Sequence, residues 1–142
     1  TVLNIGLNDA IVAAHGTDPV TARWVRDCYR RLLQLYGDVV LGVDEAPFEH
    51  ILTAARAKQG AANDAELSVE SLDDIIRQFA AHIAASGKTF PTDPMEQLWG
   101  AIAAVFESWD NQRARDHVRV IAEARRTGAL FAGPAYQAKL NT

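Results

Sequence analysis

The 142-residue chain has a formal net charge of −4, with 49% hydrophobic and 23% charged residues. That balance suits one globular domain with a single core and excludes disordered and fibrous classes. No apolar run approaches the roughly 18 residues a membrane span needs, and no basic segment leads into an apolar one as in a secretory signal. The lone cysteine, Cys28, has no partner for an internal disulfide and points to a reducing, cytoplasmic setting. The chain starts at Thr1 rather than Met, so removal of a leader stays open.

Apolar residues recur at helical spacing in five stretches, and no period-2 strand is convincing. The first predicted helix starts at Thr17 or Asp18 with Pro19 in its opening turn. Val20, Trp24, Cys28, Leu32 and Leu35 form its stripe, widened by Val25, Tyr29, Leu33 and Tyr36. Arg23, Arg26, Asp27, Arg30 and Gln34 form the opposite face, and Gly37 is the expected C-cap. Residues 38–43 read as a buried connection. A second helix runs from Pro47 to about Gln59 and buries Phe48, Ile51, Leu52 and Ala55. After a loop at 60–64, Ser68 caps a third helix with Val69, Leu72, Ile76, Phe79 and Ile83 inward, ending at Gly87.

Asp93-Pro94-Met95-Glu96 places a capping carboxylate, a first-turn proline and an N3 glutamate in order, so the fourth helix has the clearest start. Met95, Leu98, Trp99, Ile102, Val105, Phe106 and Trp109 form its stripe, and Gly100, Ala101, Ala103 and Ala104 make the other side small. This helix is expected at the centre of the bundle. Asn111 caps a fifth helix in which Ala114, Val118, Ile121 and Arg125 share a face, with Gly128 ending it and 129–142 left as a tail. The expected fold is therefore an all-α, single-domain bundle of five or six helices.

Constellations for catalysis are missing. His15, His50, His82 and His117 sit on different elements without metal-ligand spacing, and no glycine-rich phosphate loop occurs. Cys28 lies on an apolar stripe and reads as a buried structural thiol. Asp73-Asp74 is followed by Arg77, which an ion pair explains. Trp24, Trp99 and Trp109 read as core, not as a base-stacking surface. From Asn111 onward six cations face two carboxylates, which leaves −8 on the rest of the chain; the basic final helix either docks on its acidic neighbours or meets an anionic partner. Arg30 continues a polar stripe and needs no special role. Arg31 flanks the apolar face and either pairs with Asp27 or is presented to an anion. Arg113 and Arg115, in the first turns of the final helix, oppose its dipole and call for a negative neighbour such as Glu107, Asp110 or Asp116. The anion-facing candidates are Arg31, Lys88 and Arg113; no catalytic or metal residue is expected.

Whole segments resemble the pyruvate phosphate dikinases. Thr1-Val2-Leu3-Asn4-Ile5-Gly6-Leu7-Asn8-Asp9, then Gln34-Leu35-Tyr36-Gly37-Asp38-Val39-Val40-Leu41-Gly42-Val43-Asp44, are similar to blocks of that family. So are Phe90-Pro91, Asp93-Pro94, Glu96-Gln97-Leu98-Trp99-Gly100-Ala101-Ile102 and Ser108-Trp109. The resemblance implies a helical part of the N-terminal ATP-grasp region of an enzyme that uses ATP, phosphate, pyruvate and magnesium. It places the ATP-contacting arginine just upstream of Thr1, the metal-facing carboxylates downstream, and the carrier histidine in another domain. None of this chain's four histidines takes that role. Gln112 stands where a proline is expected after Asn111, and 115–126 continues as helix where the family leads into strands. The implied function is a helical module or fragment of a dikinase-like protein, contributing to the ATP-binding region but not catalytic by itself. ATP and magnesium are implied only for a full-length enzyme. The alternative is a stand-alone interaction or regulatory module that forms a homo-oligomer or docks on a dikinase; neither nucleic acid nor membrane is an expected partner.

Overall fold

The computed structural model describes residues 2–15, 18–109 and 112–126. The described residues form six α-helices in the order α1 (Asp9–Ala14), α2 (Pro19–Val39), α3 (Ala46–Gln59), α4 (Val69–Ala85), α5 (Pro94–Trp109) and α6 (Gln112–Arg126), with one 3₁₀ turn at Asp64–Glu66. No strand occurs among the described residues, so the all-α expectation holds. None of these helices is long and apolar enough to cross a membrane. The chain divides into two compact units, Thr1–Ala104 and Val105–Thr142.

Local chemistry explains where the helices begin. Asp18 accepts hydrogen bonds from the Thr21 backbone N–H and hydroxyl, and Pro19 fills the first turn of α2. Ser68 Oγ accepts from Ser71 N–H at the start of α4, and Asp93 accepts from the N–H groups of Met95 and Glu96 at the start of α5. Gly87 takes φ of +73° one residue past the Ser86 C-cap of α4, the left-handed conformation that suits glycine. The short α1, capped by Asn8, carries too few turns to show a stripe and was not expected.

The core of the first unit lies between α2, α3 and α4. Leu32, Phe48, Leu67, Leu72, Ile75 and Phe79 are wholly excluded from water. Phe48 and Phe79 meet edge to face with centroids 4.8 Å apart, and Phe90 packs edge-on against Tyr36 at 5.4 Å and Tyr29 at 6.2 Å. Burying six such side chains at about 2 kcal/mol each supplies on the order of 10 kcal/mol before conformational entropy is subtracted.

Several expectations are corrected. The centre of the first unit is α2, not α5. Its inward row is Ala22, Val25, Tyr29, Leu32, Leu33 and Tyr36, whereas Val20 and Trp24 are exposed and Cys28 only half-buried. The residues read as widening the stripe are its true centre line. Gly37 does not end α2, which continues to Val39, so residues 38–39 are helix and Val39 is exposed. Gly37 is buried, and a Cβ there would lie 2.9 Å from Phe48 Cζ. Its role is close packing, and the left-handed turn falls to Gly42, with φ of +68°.

The apolar stripe of α5 is turned away from the core. Met95, Leu98 and Trp99 are exposed, Trp99 by 62%, while Gln97 and Ala101 are buried. Of the small side of α5, Gly100 and Ala101 pack while Ala103 is exposed, and Gly100 admits the Tyr36 hydroxyl and Val40 Cγ1 where any Cβ would collide. In the second unit, Val105, Phe106, Trp109, Val118 and Val120 are all exposed, with Phe106 and Trp109 edge to face at 5.6 Å. None of the three tryptophans is a core residue. The α6 cations Arg119 and Arg126 pair within the helix, with Asp116 at 3.5 Å and Glu123 at 3.8 Å. The expected roles of Asn111, Gly128 and the tail at 129–142 lie outside the described residues.

Candidate functional site

The arginine-bearing face of α2, which in sequence looks solvated, is covered by the turn that joins α3 to α4. Arg23 donates from Nε to the Leu67 carbonyl at 3.0 Å and from Nη2 to the Asp64 carbonyl at 3.0 Å. Arg26 Nε reaches Asp73 Oδ1 at 2.6 Å. Arg30 is 4% exposed; its Nη2 lies 2.6 Å from Asp27 Oδ1 and 3.3 Å from Asp64 Oδ2. Arg56 closes the set, 3.1 Å from Asp64 Oδ1. Asp64 thus receives two guanidinium groups on its carboxylate and one on its backbone carbonyl. Each of the four guanidinium groups is matched to a carboxylate or carbonyl of the fold, which is how a buried arginine is tolerated.

Arg30, whose place on a polar stripe suggests no special role, therefore carries the structural burden, and Arg31 is the freer of the two. The Arg31 side chain is 53% exposed and holds Asp27 Oδ2 at 2.9 Å, so the Asp27–Arg31 pair forms. Lys88 follows Gly87 in the extended linker and lines a groove of about 270 Å³ with Asp9, Tyr29, Leu33, Ile83 and Phe90. Its floor is apolar, and its mouth carries a carboxylate as well as the ammonium. Burial, followed by the Asp9 carboxylate, pushes the Tyr29 phenol above its ordinary pKa, so that hydroxyl stays protonated through the neutral range. Arg31 does not line this groove. Arg113 falls within α6, and its side chain lies outside the described residues. A larger open groove of about 410 Å³ between α3 and α4 mixes Lys58 with Glu70, Asp74, Ser71 and Gln78, a lining of both signs.

His82 Nε2 lies 3.1 Å from the Asp44 carbonyl oxygen and its ring stands edge-on to Phe48. His15 Nδ1 lies 3.0 Å from the Ile11 carbonyl oxygen at the end of α1. These are packing and capping roles. Asp74 pairs with Arg77 at 2.9 Å, and Asp73 with Arg26, so the Asp73-Asp74 dipeptide splits between two ion pairs. Among the described residues no group of three or more His, Cys, Asp or Glu side chains is placed to hold a metal ion. Burial, then the Asp27 charge, pushes the Cys28 thiol above its usual value, against the smaller opposing effect of Arg31, which keeps it a poor nucleophile.

One polar residue with no local sequence signal matters to the architecture. Gln97 is wholly buried in α5: its Oε1 accepts from Gly6 N–H at 2.8 Å, and its Nε2 donates to the carbonyls of Leu7 at 2.9 Å and Pro91 at 2.8 Å. A glutamine between a capping glutamate and an apolar pair carries no signal of burial by periodicity.

Comparison with known proteins gives the segment its relatives. It is 50% identical over 115 residues to a pyruvate, phosphate dikinase of Rhizobium meliloti (strain 1021), covering 80% of this chain and 13% of that protein. It is 45% identical over 116 residues to the pyruvate, phosphate dikinase of Giardia intestinalis, covering 81% and 13%. With the chloroplastic pyruvate, phosphate dikinase 1 of Arabidopsis thaliana the identity is 41% over 118 residues, covering 82% and 12%. The chain is a relative of one segment of the pyruvate, phosphate dikinases. It spans about 13% of the length of the curated relatives it matches. No family model matches it. The dikinase-like blocks read from the sequence include both Gly6-Leu7 and Gln97, which the fold joins through hydrogen bonds.

Proposed function

We propose that this chain is the helical part of a dikinase-type nucleotide-binding region, forming a folded wall beside the groups that handle ATP and not moving phosphate itself. The observation that carries this reading is identity of 40–50% over about four-fifths of the chain to dikinases roughly eight times the length of the matched stretch. Phosphoryl transfer needs cations and donors positioned around the phosphates. The well-held arginines here, Arg23, Arg26, Arg30 and Arg56, already serve Asp27, Asp64, Asp73 and the Leu67 carbonyl. ATP and magnesium belong, on this reading, to a longer dikinase polypeptide, with Arg31, Lys88 and Arg113 as the positions nearest the nucleotide. Purified chain incubated with ATP, phosphate, pyruvate and magnesium is expected to form no phosphoenolpyruvate; turnover above the protein-free background overturns the proposal.

A second reading, a stand-alone module that self-associates or docks on a dikinase, draws on the exposed side chains of α5. Met95, Leu98 and Trp99 lie side by side at helical spacing and face water, and a monomer seldom leaves such a stripe uncovered. In the leading reading the same stripe packs against the remainder of the dikinase. Sedimentation showing a strict monomer at about 100 μM, a range in which moderate interfaces self-associate, together with no capture of a dikinase, removes the second reading.

A further inference from the structure

Residues 2–15 cross α2 and the start of α5 as a strap. Val12 is buried, and Val2, Ile5 and Leu7 are half-buried against the core. The polar ties between this strap and the body include three amide side chains and a side-chain hydrogen bond from the Tyr29 hydroxyl to the Asp9 carboxylate. Asn4 Nδ2 donates to the Cys28 carbonyl at 3.1 Å, and Asn8 Nδ2 donates to the Thr92 carbonyl at 2.9 Å. Gln97 grips Gly6 and Leu7 at once. No ion pair fixes the strap among the described residues, in contrast to the turn at 60–67, which four arginine contacts hold.

We propose that the strap is a latched lid: residues 2–15 leave the body as one piece while α2, α3 and α4 stay folded, and the buried amide of Gln97 is the latch. The hydrogen-bond balance permits such an opening. Gln97 loses its bonds to Gly6 and Leu7 when the strap lifts, yet the same motion admits water to satisfy the amide, and the bond to Pro91 stays. The Phe48–Phe79 packing and the arginine network lie on other elements and survive the motion. Lifting the strap removes the Asp9 wall of the 270 Å³ groove and widens the approach to Tyr29, Leu33 and Phe90.

Native-state hydrogen exchange on the full chain tests the latch. In the wild type the amides of Gly6, Leu7, Ile11 and Val12 are expected to share one opening with weak denaturant dependence, populated at least about 10-fold more than the opening that frees Leu32 and Phe79. Gln97→Ala is expected to speed the four strap amides together by about 10- to 100-fold while Leu32 and Phe79 change by less than about 3-fold. Strap amides that exchange at the core rate with the core's denaturant dependence in the wild type overturn the proposal. So does a variant that speeds Gly6 alone, or one that speeds every amide equally. Should Gln97→Ala fail to fold, the wild-type profile decides the question unaided.

Discussion

Replacing Arg30 by methionine isolates the buried half of the Arg30-Arg31 dipeptide. Methionine preserves much of the apolar stem, so the loss is electrostatic: two bonds to Asp27 Oδ1, at 3.1 and 2.6 Å, and one contact with Asp64 Oδ2 at 3.3 Å. Removing one partner of a buried ion pair costs about 3–5 kcal/mol when the other charge is stranded. Here neither carboxylate is stranded, because Asp27 keeps Arg31 at 2.9 Å and Asp64 keeps Arg56 at 3.1 Å. The expected cost is therefore near half that, about 2 kcal/mol. With a denaturant sensitivity of about 1–3 kcal/mol per molar urea, the unfolding midpoint should fall by about 1 M. Arg31→Met is the internal comparison. That side chain is 53% exposed, and loss of a surface pair costs about 0.5 kcal/mol or less. Urea unfolding followed by far-ultraviolet circular dichroism measures both. Equal losses in the two variants, or a larger loss at Arg31, refute the assignment of Arg30 as the structural member.

Gly100→Ala places a methyl group on the Tyr36 hydroxyl and should destabilise by about 1–2 kcal/mol, despite the helix propensity gained. In a Tyr36→Phe background the same change should cost measurably less, and a double-mutant cycle showing no coupling rules out this contact as the cause. At alkaline pH, the Tyr29 and Tyr36 phenols, both raised chiefly by burial, ionise later in the fold than in the unfolded chain, where the ordinary value is about 10. Their contribution is therefore complete below that pH and is lost as pH rises above it. Tyr29→Phe should flatten the fall in stability between about pH 9.5 and 11 by close to one proton's worth, which denaturant titrations at several pH values would reveal.

The helices were legible because their signals are local. A cap such as Asp18, Ser68 or Asp93 acts on N–H groups two or three residues away, so its effect can be read without knowing the rest of the fold. Most inward residues of α3 and α4 were readable, because each helix meets the core along one stripe; Phe48, Leu52, Leu72, Phe79 and Ile83 are buried as expected, whereas Ile76 is half-buried and its neighbour Ile75 takes the core position. Of the anion-facing candidates, Lys88 lines a groove and Arg31 is exposed, but periodicity had no means of bringing them to one place.

Composition and periodicity by themselves determined the class, the N-caps of α2, α4 and α5 and most helix limits, and the residue blocks determined kinship with the dikinases. Tertiary structure alone decided which helix lies at the centre and which polar groups are buried. The physical reason is that an apolar stripe announces only that a face prefers cover, not that cover is present: α5 exposes Trp99 while Gly100 and Ala101 pack. Conversely, Arg30 and Gln97 are buried because carboxylates and carbonyls distant in the chain arrive to satisfy them, and those partners exist only once the chain has folded.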